Sequence, residues 1–254
     1  VTDPYYADER VTLYHGDMLE TPIPALADAF IADPPYSRAG ALHTGRMNSQ
    51  ADLVGSDQFW LHWFNAAAKR ITDRTRPDGH GFIFTDYRTV ALVERAFLAA
   101  GAGWYVSQCL VWDRESIGMG SPFRASHELI AFIRGPKFEW KGKRDMGNVI
   151  RCRWPYLAHE NHEAEKPVPL LERLAETTPA GALILDPFAG SGSTLVAARN
   201  LGRRALGVEL EERYCEVAVR RLSQSTLGET APAPEVAMPV TPTTFDLFND
   251  DDAA

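Results

Sequence analysis

Cysteine is scarce in this chain of 254 residues: Cys109, Cys152 and Cys215 are the only three. An odd number with no CxxC spacing excludes a disulfide framework and fits a reducing compartment. His159 and His162 flank Glu160, but no second pair is spaced to complete a metal site, so no metal is expected. Long apolar runs are lacking too. No stretch approaches the roughly eighteen uninterrupted apolar residues of a membrane span, and Val1 to Arg10 is polar, without a signal-peptide core. A cytoplasmic protein is expected, with no membrane partner.

Basic residues are missing altogether from residues 226–254, which hold Glu229, Glu235, Asp246, Asp250, Asp251 and Asp252. This segment carries −6 of the net charge of −8 and leaves −2 on the rest. Rich in Pro, Thr and Ala, it has little to build a core and reads as a disordered acidic tail. Phe245 to Phe248 within it offers a docking motif, although a solubilising tail is the plainer reading. Residues 1–225 suffice for one domain, and 45% hydrophobic composition is ordinary for a globular one.

What is present alternates as an α/β protein does. Strands are expected at Val11 to Tyr14, Ala29 to Ala32, Gly81 to Thr85, Trp104 to Trp112, Glu128 to Ile133, Ala182 to Leu185 and Ala205 to Val208. Helices are expected over Asp57 to Asp73, Val90 to Ala100, Lys166 to Thr177, Thr194 to Leu201 and Glu211 to Leu222. The aromatics of the first helix, Phe59, Trp60, Trp63 and Phe64, have core spacing. Residues 37–57 have no periodicity and read as a long loop beside a functional string.

Two strings follow apolar strands: Asp33-Pro34-Pro35-Tyr36 and, 153 residues on from Asp33, Asp186-Pro187-Phe188-Ala189-Gly190-Ser191-Gly192-Ser193. Ligands of open α/β sheets bind outside the carboxyl ends of the strands, so two such strings can share one crevice. The pair resembles the S-adenosylmethionine-dependent DNA amino methyltransferases, over roughly residues 10 to 224. The catalytic string precedes the glycine-rich one, as in their permuted β class. The resemblance implies a Rossmann-like methyltransferase fold with a mostly parallel sheet, S-adenosylmethionine as cofactor and duplex DNA as substrate.

Gly190 and Gly192 would let the backbone approach the methionine end of the cofactor, with Asp186 serving its ammonium group. Ser191 and Ser193 add hydroxyls at the helix start. Glu209, 19 residues after Gly190, follows a strand where an acid can hold a ribose diol. The resemblance assigns Glu209 that role. It sets His162 and Lys166-Pro167 near the methionine carboxylate, Asp17 and Asp33 on the cofactor's far side, and Phe188 and Leu210 among the cofactor contacts.

An exocyclic amine is a poor nucleophile because its lone pair is delocalised into the ring. A carboxylate at Asp33 and the Pro34 carbonyl can accept its two N–H bonds and free that lone pair. Pro34 and Pro35 stiffen the backbone, and Tyr36 can stack on the base. Methylation at cytosine carbon 5 would need a thiolate, usually from a Pro-Cys pair, and none of the three cysteines follows a proline. By family association, an initial Asp resembles adenine-N6 enzymes more than cytosine-N4 ones. N4-cytosine, RNA or protein-amide methylation, and a non-catalytic DNA-binding protein that has kept the fold, are the competing readings.

For DNA, the densest basic and aromatic stretch is Lys137, Trp140, Lys141, Lys143, Arg144, Arg151, Arg153 and Trp154, a short target-recognition insertion at about 136–160 where the resemblance puts recognition. Arg38 and Arg46 belong to the loop beside the catalytic string, and Arg124 to Glu128 are expected to shape the pocket. A homodimer and a companion restriction endonuclease are compatible partners.

Overall fold

The computed structural model describes residues 3–35, 57–101, 103–118, 122–140, 146–153 and 165–225. The strands are β1 (Tyr6–Ala7), β2 (Val11–His15), β3 (Ala27–Ala32), β4 (Thr75–Thr85), β5 (Tyr105–Asp113), β6 (His127–Arg134), β7 (Val149–Arg151), β8 (Leu183–Asp186) and β9 (Arg204–Glu209). They form one sheet in the order β1-β2-β9-β8-β3-β4-β6-β5-β7. β1 and β6 run against their neighbours, and the others are parallel to one another. The Rossmann-like fold with a mostly parallel sheet is thus observed.

Alternation along the strands explains the two layers. Phe30 and Ala32 of β3 face one side, packing with Ile83 and Ala131 against helices α1 (Asp57–Asp73) and α2 (Val90–Ala99). Ile31 faces the other, with Phe82, Phe84 and Ile184, under α3 (Val168–Ala175), α4 (Ser193–Asn200) and α5 (Glu212–Ser225). Trp60 and Phe64 of α1 are core, as expected, stacked on each other at 4.6 Å.

Three differences from the sequence reading have local causes. β4 begins at Thr75 rather than Gly81, because pairing with β3 and a register shift carry its Pro and Gly residues into the sheet. α3 begins at Val168, not Lys166: Pro167 is its N-cap with ψ 130°, so the chain enters extended and Lys166 stays off the helix. β1 and β7, with two and three residues, are too short to show periodicity. Loop 37–56, residues 141–145, 154–164 and the acidic tail lie outside the described residues.

Candidate active site

A cavity of about 400 Å³ opens at the carboxyl ends of β2, β9, β8 and β3, and residues of both strings line it. Asp186 ends β8, Glu209 ends β9 and Asp33 follows β3, so the topology puts three carboxylates side by side. Asp17, Phe188, Gly190, Ser191, Ser193 and Leu210 line the same cavity. Pro34 and Pro35 also line it, while Tyr36 lies outside the described residues.

The acids on the β8–β9 side are held by neighbouring backbone. Gly190 N–H donates to Glu209 Oε2 at 2.7 Å, and Glu211 N–H donates to Oε1 at 2.8 Å. Burial raises the Glu209 pKa, against the lowering effect of those N–H groups. Asp186 accepts from Phe188 N–H at 3.0 Å and from the Thr194 hydroxyl. Burial, reinforced by Asp33 and Glu209, pushes its carboxyl up to about 7. Gly192, at φ 81°, turns the chain into α4, and a Cβ there would press on Ala218. Its role is to shape the turn.

Asp33 is held across the fold. Lys166 Nζ, with a side chain 6% exposed, lies 2.7 Å from Asp33 Oδ2 and 3.4 Å from Glu128 Oε2. The same ammonium sits over the Phe84 ring at 5.1 Å. Burial pulls the Lys166 pKa down, but the two carboxylates outweigh it and leave it above its ordinary value. Arg114 Nη1 lies 3.7 Å from Glu128 Oε1, continuing the alternation of charge. Behind the string, Trp60 Nε1–H donates to the Pro35 carbonyl at 2.6 Å.

Lys166 therefore points at Asp33 and Glu128, a pairing that nothing local in the sequence signals. Pro167 precedes α3 as its cap and does not line the cavity surface described, and His162 lies outside the described residues. Trp63, read as core, is a cavity wall against Phe188, ring centroids 5.7 Å apart. Arg221 of α5, with no motif to flag it, hydrogen-bonds the glycine-rich turn.

The proposed DNA residues divide. Arg151 ends β7 and Arg153 follows it, beside Asp113 at the cavity end of the sheet. Lys137 is brought to the other end: its N–H donates to the Pro77 carbonyl, near the start of β4. That is about 25 Å along the strand from Thr85, so Lys137 does not reach the cavity. Arg38, Arg46, Lys141, Lys143 and Arg144 lie outside the described residues. The β5–β6 connection at the cavity end presents Phe123, 94% exposed, and Arg124, whose Nε–H donates to the Gly118 carbonyl at 2.7 Å.

Among the described residues, no His, Cys, Asp and Glu cluster is arranged to hold a metal, and no helix is long and apolar enough to cross a membrane. The family profile described as DNA methylase, that of the N6 and N4 methyltransferases, matches residues 27–220. YubD of Escherichia coli (strain K12), provisionally named a methylase, is 49% identical over 199 residues, covering 77% of this chain and 82% of its own. The DNA adenine methyltransferase YhdJ of the same strain is 26% identical over 257 residues, covering 85% and 84%. The solved cytosine-N4-specific PvuII DNA methyltransferase superposes with a TM-score of 0.66 over 86% of this chain and 88% of its own, and at 18% identity the likeness is one of fold.

Proposed function

Because the chain belongs to the DNA methylase family of N6 and N4 amino methyltransferases, we propose that it transfers a methyl group from S-adenosylmethionine to the N6 amine of adenine in duplex DNA. The observation that carries this reading is the convergence of Asp33 with Asp186 and Glu209 on one cavity, with Lys166 locked onto Asp33.

The residues present fit the methyl donor. Asp186 and Glu209 are buried acids whose pKa values are raised, an environment that favours a cationic partner. Asp186 would hold the ammonium group and Glu209 the ribose hydroxyls. Phe188, Trp63 and Val208 give the cavity apolar walls. When bound, S-adenosylmethionine supplies a methyl group on a sulfonium sulfur.

Asp33 and the Pro34 carbonyl accept the two N–H bonds of the target amine and draw its lone pair out of the ring. Lys166 fixes the Asp33 carboxylate, and Trp60 fixes the string through the Pro35 carbonyl, so orientation is set before the base arrives. Tyr36 would stack on the base. A paired base cannot reach this pocket, so the nucleotide is flipped out of the duplex. Arg151, Arg153 and the β5–β6 connection with Phe123 form the DNA-facing surface in this reading, and Lys137 does not.

The initial Asp of the catalytic string and the likeness to YhdJ support adenine. Cytosine N4 is the second reading, favoured by the breadth of the family and the PvuII fold. Incubation with methyl-labelled S-adenosylmethionine and unmethylated duplex DNA tests the function: label is expected in DNA, and transfer only to RNA or protein would refute the assignment.

A further inference from the structure

Arg221 lies on α5, outside both strings, and takes no part in the chemistry above. Its guanidinium nevertheless reaches the turn before α4. Nη1 donates to the Ser191 carbonyl at 3.0 Å, to Ser191 Oγ at 2.9 Å and to Ser193 Oγ at 3.0 Å. Nη2 pairs with Glu165 Oε1 at 2.7 Å, and the Ser193 hydroxyl donates to the same oxygen at 3.4 Å. Both serines are buried, at 5% and 6% exposed, and both line the cavity.

A serine hydroxyl has one hydrogen to donate and two lone pairs to accept with. A guanidinium cannot accept, so its N–H groups take lone pairs on both oxygens and turn the hydroxyl hydrogens away from Arg221. Ser193 gives its hydrogen to Glu165, and Ser191 is left with a hydroxyl set as a donor. Glu165 balances the charge of Arg221, so the pair adds geometry without adding net charge. Lys166, the cation among the described residues that line this cavity, is engaged with Asp33 and Glu128. An anionic group at the glycine-rich turn must therefore find its donors elsewhere.

We propose that Arg221 is a positioning residue for the amino-acid end of the methyl donor, orienting the Ser191 hydroxyl toward its α-carboxylate while Ser193 and Glu165 brace the guanidinium. This rests on the S-adenosylmethionine reading. Glu165 and Lys166, adjacent in the extended segment before Pro167, then divide the labour: Glu165 steadies the donor side through Arg221, and Lys166 steadies Asp33.

The test is calorimetric titration of the purified full-length chain with two ligands. S-adenosylhomocysteine keeps the amino-acid end, and 5′-methylthioadenosine keeps the nucleoside and sulfur but lacks it. Arg221→Ala is expected to weaken the first about tenfold and the second less than twofold, with Arg221→Lys in between. Should Arg221→Ala fail to fold, Arg221→Lys carries the test with about a threefold loss on the first ligand alone. Equal losses on both ligands, or none on S-adenosylhomocysteine, would overturn the role of Arg221. Wild-type protein that binds both ligands equally well would overturn it too while leaving the nucleoside site standing; wild-type protein that binds neither would remove the cofactor reading itself.

Discussion

The cavity has two sides that treat negative charge differently. On the β8–β9 side, Asp186 and Glu209 are buried and, among the described residues, accept from neutral donors, the N–H groups of Phe188, Gly190, Leu210 and Glu211 and the Thr194 hydroxyl, and both pKa values rise. On the β3 side, Asp33 has a full cation at 2.7 Å, itself steadied by Glu128. One side carries uncompensated acid and suits a ligand with a positive charge. The other is already neutralised and suits an uncharged amine that needs only a well-aimed acceptor. In the proposed reaction, electrostatics would sort the two substrates: the cationic methyl donor to one wall and the neutral base to the other.

The largest expected effect removes the acceptor. Asp33→Ala should lower turnover by about 10³-fold or more while S-adenosylhomocysteine affinity stays within about threefold, measured by steady-state kinetics and calorimetry. A parallel fall in both would merge the two sides into one. Next, Lys166→Met leaves the half-buried Asp33 without its cation and Glu128 with Arg114 alone, and should cost about 1–3 kcal/mol in urea unfolding. Adding Asp33→Asn to that variant should return part of the loss, since the stranded charge is gone.

Asp186 sharpens the comparison through pH. Its carboxyl is pushed up to about 7, so a ligand's ammonium group must displace a proton below that pH. Affinity for S-adenosylhomocysteine should fall about tenfold per pH unit well below 7, and Asp186→Asn should flatten that slope. Folding stability has the opposite sign: a folded pKa raised from 3.8 means the native state binds more protons, so this group costs stability as pH climbs from about 4 to 7. The smallest effect concerns the outer surface. Arg151→Ala with Arg153→Ala should weaken DNA binding several-fold and reduce its salt slope by about 1 to 2, whereas Lys137→Ala, at the far end of the sheet, should leave both unchanged.

The same two sides differ in how openly the sequence announces them. Asp186, Gly190, Ser193 and Glu209 fall within 24 residues, on a strand, turn, helix and strand whose periodicity is plain, and each lies on the expected wall. The Asp33 side draws Trp60, Glu128 and Lys166 from three separate elements, brought together only by the sheet order. Lys166 was expected beside a carboxylate of the ligand, and its pairing with Asp33 depends on Pro167 delaying α3 by two residues. Lys137 looked basic enough for DNA, but β6 runs antiparallel and delivers it to the wrong end. Arg221 sits in an ordinary amphipathic helix, and only its contacts distinguish it. Local chemistry can be read from spacing; partners across a sheet cannot.

The central claim is that Asp33 activates an exocyclic adenine amine. The most direct measurement is to incubate the full chain with S-adenosylmethionine and unmethylated duplex DNA, digest to nucleosides and identify the product by mass spectrometry. N6-methyl-2′-deoxyadenosine, absent when Asp33→Ala replaces the wild type, is the predicted result. N4-methyl-2′-deoxycytidine in its place, or methylated adenine produced equally well by the variant, would contradict the account.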